Sequence, residues 1–272
     1  MTDEIINKLF NFSCRDGAIK DAEKLLNEGA DVNNHNGALG RSPIIFACEF
    51  SSNIDLIRLL IKNGAELNYV DERNSSALHY AIQSRDLEVI SLLLENNINL
   101  NHISVLEEFY LDDIDNAESI LIQLMKFGLN FQSFSDPDRI YPETDIGGEI
   151  LIKFVETDRY KTVERILSCG ANIEYFDNLG YSPLMVASDS GDISMVKLLV
   201  QNGADLNNGN KEGCTPLMAA AGRGNINVVR FLIEKNCDYK AKDEDGWSAI
   251  KYAQEAGDGI KQEVVDYLKS IN

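Results

Sequence analysis

The sequence predicts an all-α chain, a solenoid of stacked helix-turn-helix units joined by hairpin loops. Three observations carry that prediction. A short signature, Gly or Asn followed by an apolar and a polar residue, returns along the chain from Gly29-Ala30-Asp31 to Asn236-Cys237-Asp238. Between two returns stand a short Ala-rich helical stretch, a Gly-bearing break and a Val/Leu/Ile-rich helical stretch. Pro is scarce, at 5 of 272 residues, while the 19 Gly fall at regular places, as punctuation between helices and not as low complexity.

The clearest copy is Gly203 to Ile233. It holds a turn at Asn210-Lys211-Glu212-Gly213, then Thr215-Pro216-Leu217, the Ala-rich stretch and the apolar stretch. Thr is suited to cap a helix start and Pro to occupy its first position. This unit resembles an ankyrin repeat, whose pattern runs D-x-x-G-x-T-P-L-H-x-A-A-x-x-G with V-V-x-L-L-L-x-x-G-A-D following. The resemblance implies a solenoid whose repeats pack only on their neighbours, and binding of proteins through a concave face, with no catalytic site.

The unit ends act as a ruler. They stand at Gly29, Gly64, Asn97, Gly128, Gly170, Gly203 and Asn236, giving steps of 35, 33, 31, 42, 33 and 33 residues. Gly or Asn is required there if the helix closes on a left-handed residue, which branched side chains disfavour. The reading is a single domain over 1–272 with eight units, at about 2–33, 34–68, 69–101, 102–132, 133–174, 175–207, 208–240 and 241–272.

Taken in order, the first unit lacks the T-P-L-H segment and carries Asp3, Glu4, Asn7 and Lys8 on its first helix, as an N-terminal cap facing water should. The second has Ser42-Pro43-Ile44-Ile45, and a second helix with a wide apolar face from Ile54 to Ile61. The third, with Ser76-Ala77-Leu78-His79, keeps the motif's histidine, for which the resemblance implies a structural hydrogen bond. The fourth and fifth are degenerate. Between His102 and Phe127 the hairpin and T-P-L-H segment are missing, with a first helix expected around Val105 to Leu111 and a second over Ile120 to Phe127. An insertion over 132–146, QSFSDPDRIYPETDI, fits neither helical nor strand periodicity and is expected as a loop. Aligning Gly147-Gly148 with Gly180-Tyr181 puts it at a hairpin, with helices resuming at Glu149 to Glu156 and Lys161 to Ser168. The sixth and seventh units are regular, with Met185 and Met218 in place of His. The eighth, ending in Gln262, Glu263, Asp266 and Lys269 around Val264, Val265 and Leu268, reads as the C-terminal cap.

The net charge is −19. It argues against nucleic acid or an anionic membrane as a ligand and favours a basic protein partner met by fast, salt-sensitive association. Five scattered cysteines without a C-x-x-C pair read as small apolar residues of a reduced, cytoplasmic protein. The acidic N-terminus does not read as a signal peptide, and no apolar run approaches the length of a membrane span. The expectation is a monomer.

No phosphate-binding Gly-rich loop, nucleophile elbow or metal-binding His pair occurs, and His35, His79 and His102 have no Cys or His at ligand spacing. No cofactor, metal or catalytic residue is expected. In a repeat array the core positions are committed to packing, so recognition falls to the hairpins and the outer face of each first helix. Alignment places Leu39, Arg41, Glu49 and Phe50 there, then Arg73 and Ser75, then Leu179, Tyr181 and Asp189, then Glu212, Cys214 and Arg223, then Trp247 and Glu255. Aromatic residues and Arg dominate interface energy, so Phe50, Arg73, Tyr181, Arg223 and Trp247 are candidate partner-binding residues. The competing reading has each aromatic leaning on a neighbouring hairpin to seal the core edge.

Charge is uneven as well. From His102 to Tyr160 thirteen Asp/Glu face four Lys/Arg. The loop residues Phe134, Asp136, Asp138, Tyr141 and Glu143 therefore join the candidates, as a docking element for a basic partner; a tolerated, solvated insertion is the alternative. The functional expectation is a protein-protein interaction module, acidic, that masks or inhibits a basic partner in the manner of an immunity protein. An adaptor or host-directed effector scaffold is the runner-up. A structural repeat protein without a fixed partner and an enzyme hidden in the degenerate repeats are the remaining classes.

Overall fold

The computed structural model describes residues 2–100, 113–131, 145–255 and 261–271. Fifteen α-helices are present among them, in the order the ruler demands. The first unit supplies α1 (Asp3–Arg15) and α2 (Ile19–Asn27), and the second supplies α3 (Pro43–Phe46) and α4 (Ile54–Lys62). In the second unit α3 widens into a π turn over Ala47–Ser51. The third unit supplies α5 (Ala77–Gln83) and α6 (Leu87–Glu95), and the fourth α7 (Ile114–Lys126). The helices α8 (Ile146–Glu156) and α9 (Tyr160–Ser168), α10 (Pro183–Ser190) and α11 (Ile193–Gln201), α12 (Pro216–Arg223) and α13 (Ile226–Glu234), and α14 (Ala249–Glu255) and α15 (Gln262–Ser270) follow in pairs. Strand structure among the described residues is limited to one isolated bridge, Val70 with Ser76.

The helices gather into two compact units, Met1–Leu129 and Asn130–Asn272. Each is built in two layers. In the first, α1, α3 and α5 pack in sequence while α2, α4, α6 and α7 form the other layer. In the second, α8, α10, α12 and α14 stack as one layer, and α9, α11, α13 and α15 as the other.

Three devices repeated in each period explain why these residues fold this way. The first is the helix stop. All seven ruler residues have positive φ, from 58° at Asn97 to 100° at Gly29, so Gly and Asn stand where the chain reverses out of the helix. The second is the buried triplet of the second helix, at positions i, i+1 and i+4. Leu56, Ile57 and Leu60 are followed by Val89, Ile90 and Leu93, then Ile120, Leu121 and Leu124, and, past a polar Thr162 with Val163 and Ile166, the pattern continues to Val264, Val265 and Leu268. The aliphatic members of these triplets are buried, so a truncation such as Leu→Ala costs several kcal/mol.

The third device was not foreseen. The side chain four residues after a ruler residue accepts the backbone N–H two residues after the next. The Glu66 N–H donates to Asn33 Oδ1 at 2.8 Å, Asn99 to Asn68 at 2.7 Å, and Asp238 to Asn207 at 2.6 Å. Glu174 does the same for Asp205 at 2.7 Å, and Asn7 of α1 does it for Asp31 at 2.8 Å. Four of these bonds staple a repeat end to the preceding repeat, the fifth ties the first repeat's end to its own α1, and all satisfy N–H groups left over beyond the helix.

The hairpins are set by one acid or amide each. Asp71 Oδ1 accepts the N–H of Arg73 and of Ser75, Asp177 those of Leu179 and Tyr181, Asn210 that of Cys214, and Asp243 that of Trp247. Ser76, Ser182 and Thr215 then cap the first helices as expected.

The degenerate fifth unit corrects one expectation. Gly147-Gly148 is not a hairpin: it lies in the first turn of α8, whose start is capped by Asp145 accepting the Gly148 N–H at 2.9 Å. Asp145-Ile146-Gly147-Gly148 thus stands in the place of Ser182-Pro183-Leu184-Met185. Glycine is required by crowding, because a Cβ at Gly148 would lie 2.2 Å from Tyr175 Cγ and one at Gly147 3.0 Å from Phe131. The fourth unit's α7 begins at Ile114, earlier than the expected Ile120. The helix expected around Val105 to Leu111 lies outside the described residues, as does the expected 132–146 loop up to residue 144, while its last two residues are the cap Asp145 and the first helical residue Ile146.

Two outcomes test this account. Gly148→Ala improves helix propensity by about 1 kcal/mol, yet the displaced Tyr175 ring should make the variant less stable by about 1–3 kcal/mol in urea unfolding. Asn207→Ala, which removes one staple, should cost about 1 kcal/mol in the same measurement.

Candidate functional site

The positions expected to project were the residue before each helix cap, the hairpin tip and the end of each first helix. They divide into two sets. One set is consumed by the fold. Arg41 and Glu49, expected to be free for recognition, are instead joined in a shielded network with the following repeat. The Arg41 guanidinium donates to the Tyr80 hydroxyl at 3.1 Å, pairs with Glu49 at 2.9 Å and lies 3.5 Å from Asp71 Oδ2. Tyr80 in turn donates to Asp71 Oδ2 at 2.7 Å, and the guanidinium lies over the Tyr80 ring. Ser75, also expected to project, is buried beside Asp71.

The electrostatics follow from that burial. Desolvation works against the Arg41 charge, but the bond to Tyr80 and the carboxylates of Glu49 and Asp71 outweigh it and raise its pKa. Burial pushes the Glu49 carboxyl up, against the opposing pull of Arg41. The Asp71 side chain is fully enclosed, with the guanidinium beside it as a counter-charge.

The other set does project. Phe50 is 54% exposed, lying over Arg41 and stacked on Phe46. Arg73 stands exposed at its hairpin tip, its backbone N–H donating to Asp71 and its carbonyl accepting from the Ser75 hydroxyl. Leu179 is 79% exposed at the next regular hairpin. Tyr181 is half-buried, its hydroxyl pushed up first by burial and then by Asp189. Arg223 is exposed and bonded to Asp189 at 2.8 Å, one repeat back. Trp247 is 36% exposed, edge-on to Tyr252 at 5.7 Å between ring centres. It leans on the first helix of its own repeat, not on a neighbouring hairpin, and leaves one part of the ring exposed.

In the second compact unit the residues preceding successive caps form one register: Tyr181 before Ser182, Cys214 before Thr215 and Trp247 before Ser248. Two bases beside them are paired, Arg223 with Asp189 and Lys251 with Glu255, while Lys211 and Lys242 stand exposed on the hairpins. Asp243, in the same stretch, accepts from the Tyr252 hydroxyl at 2.7 Å, and that bond first, with backbone N–H groups, holds its carboxyl below the usual range. The candidates Phe134, Asp136, Asp138, Tyr141 and Glu143 lie outside the described residues.

His79, the one motif histidine retained, is buried, takes the N3 position of its helix with its N–H on Ser76, and meets the Tyr80 ring edge-on. His35 stacks on Tyr69 at 3.8 Å. Among the described residues no group of three or more His, Cys, Asp and Glu is placed to hold a metal ion, and no helix is long and apolar enough to cross a membrane.

Comparison with known proteins decides the family. The family profile described as ankyrin repeats (3 copies) matches residues 10–104 and 116–210, and a second, ankyrin repeats (many copies), matches 199–253. The chain belongs to the ankyrin-repeat family. An ankyrin repeat protein of Fowlpox virus is 33% identical over 111 residues, covering 40% of this chain and 16% of that protein. One from Rickettsia felis is 26% identical over 176 residues, covering 62% of this chain and 42% of that protein. Transient receptor potential cation channel subfamily A member 1 of Homo sapiens is 24% identical over 165 residues, 57% of this chain and 14% of the channel. The chain thus spans well under half the length of these relatives. Ankyrin repeats are protein-protein interaction modules, and the projecting set is where this family member has side chains to spare.

Two measurements probe the geometry. Arg41→Ala strands the enclosed Asp71 carboxylate and should cost about 3 kcal/mol or more of stability, read by urea unfolding. Asp243 has a lowered folded pKa, so its bond to Tyr252 stabilises above the ordinary carboxylate pKa and the benefit is lost as pH falls through the folded value. Tyr252→Phe should therefore melt lower than the wild type at pH 7, with the gap narrowing as the pH falls below the ordinary carboxylate range.

Proposed function

We propose that this chain docks on a basic protein through its projecting hairpin and first-helix positions, together with the acidic stretch 102–160, and masks that partner. The observation that carries the reading is the pairing pattern in the second compact unit. There Leu179, Tyr181 and Trp247 offer apolar contact area at positions the core does not consume, while two neighbouring bases, Arg223 and Lys251, are tied to Asp189 and Glu255. Of the exposed charges on those hairpins, Glu212, Glu244 and Asp245 outnumber Lys211 and Lys242. Exposed aromatics supply binding energy and surrounding charge supplies rate and selectivity. In this reading Phe50, Arg73, Tyr181, Arg223 and Trp247 contact the partner, and Phe134, Asp136, Asp138, Tyr141 and Glu143 form a second contact.

The five cysteines are all free, which suits a reduced, cytoplasmic setting. An adaptor or effector scaffold would use the same surface without blocking its partner's activity. Affinity capture at about 50 mM and about 500 mM salt separates charge-led from aromatic-led binding. A basic partner should be retained at low salt and largely lost at high salt. Tyr181→Ala with Trp247→Ala should weaken its binding by about tenfold or more. A captured partner that is acidic, or one indifferent to both changes, rejects the masking role. Deleting residues 134–143 without loss of affinity, in a chain that still folds, removes the central segment from the interface.

A further inference from the structure

The chain contains its own template for an arginine site, filled in one repeat and open in another. Asp71 and Tyr80 stand five residues before and four residues after the cap Ser76; Asp243 and Tyr252 stand in the same places around Ser248. In both repeats the tyrosine hydroxyl donates to the aspartate Oδ2 at 2.7 Å. Among the described repeats only these two carry the pair: the tyrosine position is Val186 or Ala219 in the others of regular pattern.

What covers the pair differs. Over Asp71–Tyr80 lies Arg41, contributed by the preceding repeat, with Glu49 behind it, and both members of the pair are buried. The preceding repeat at Asp243–Tyr252 has Cys214 where Arg41 would be and Gly222 where Glu49 would be. The Cys214 thiol touches the Tyr252 hydroxyl but carries no charge to match Asp243. A Cβ added at Gly222 would lie against the Tyr252 ring at 3.7 Å, an ordinary contact distance, so the place of the Glu49 side chain is left without one. Asp243 and Tyr252 are accordingly only half-buried. The nearby cations do not fill the place, since Arg223 is bonded to Asp189, and Lys251, paired with Glu255, lies over Trp247.

We propose that the Asp243–Tyr252 pair, flanked by Trp247, receives an arginine side chain from a basic partner protein. The incoming guanidinium lies over the Tyr252 ring, donates to its hydroxyl and neutralises Asp243, as Arg41 does one unit away for Tyr80 and Asp71. Arginine suits the site better than lysine because its planar fork reaches a hydroxyl and a carboxylate while stacking on a ring. The inference deepens the docking-surface reading and rests on it only for the partner's being a protein.

Trp247 is the chain's single tryptophan, so its fluorescence reports on this site alone. The full chain titrated with an octa-arginine peptide should show a saturable change in Trp247 emission, and octa-lysine should bind at least about fivefold more weakly. Cys214→Arg, which supplies the guanidinium from within, should weaken octa-arginine about tenfold without lowering the melting temperature, and Asp243→Asn should weaken it similarly. Glu88→Gln, an equal charge change at an exposed position of the other compact unit, should leave the titration unaltered. The proposal is overturned if Cys214→Arg and Asp243→Asn bind octa-arginine as tightly as Glu88→Gln does, or if octa-lysine binds equally well. The peptide titration needs no natural partner, so its failure would leave the capture experiment above standing as a separate test of docking.

Discussion

The reversal at the end of each second helix is the constraint on which the rest of this chain depends. A helix that stops on a left-handed residue turns its chain back toward the hairpin within a few residues, and only then can the next pair stack in register. Gly29, Gly64, Gly128, Gly170 and Gly203 adopt that conformation without steric cost, and Asn97 and Asn236 adopt it at a small one. Once the reversals are placed, the triplets of buried aliphatic residues face one another from repeat to repeat. The side-chain staples from Asn33, Asn68, Glu174 and Asn207 then find their N–H groups about one period on.

That division of labour leaves few side chains for recognition, and the chain treats even those unevenly. In the first compact unit the projecting arginine and glutamate are drawn inward, with Arg41 sealing Asp71 and Tyr80 beneath it. An ion pair of this kind contributes little net stability compared with apolar packing, but breaking it is costly. Its consequence is specificity of register: Arg41 meets its tyrosine only when adjacent repeats are correctly stacked. In the second unit the corresponding places hold Cys214 and Gly222, and the same Asp–Tyr pair opens to solvent beside Trp247. A structural device in one repeat becomes available surface in another through two substitutions that shorten side chains.

Departures from the repeat pattern have physical causes of their own. The fifth unit lacks Thr-Pro-Leu-His yet builds the same helix start from Asp145, Ile146 and two glycines, because Tyr175 and Phe131 occupy the room that larger side chains would need. The motif is therefore one solution to a geometric requirement: a capping oxygen followed by residues that fit against the neighbouring hairpin.

The sequence by itself determined the helix pairs, their period, the left-handed stops and the positions committed to the core. Those features are local: an oxygen at a cap, a glycine at a reversal and an apolar triplet act through neighbours a few residues away or through a pattern repeated identically. Tertiary structure decided which projecting residues remain free. Arg41 and Glu49 aligned with recognition positions, and nothing within their own repeat shows that Tyr80 and Asp71, some thirty residues on, would capture them; the tyrosine standing where other repeats have Val186 or Ala219 was the only trace. Gly147-Gly148 was misplaced for the same reason, since the ring of Tyr175 that forbids a side chain there belongs to the following repeat. Contacts across repeats depend on side-chain reach and available space, which become defined only when the helices are stacked.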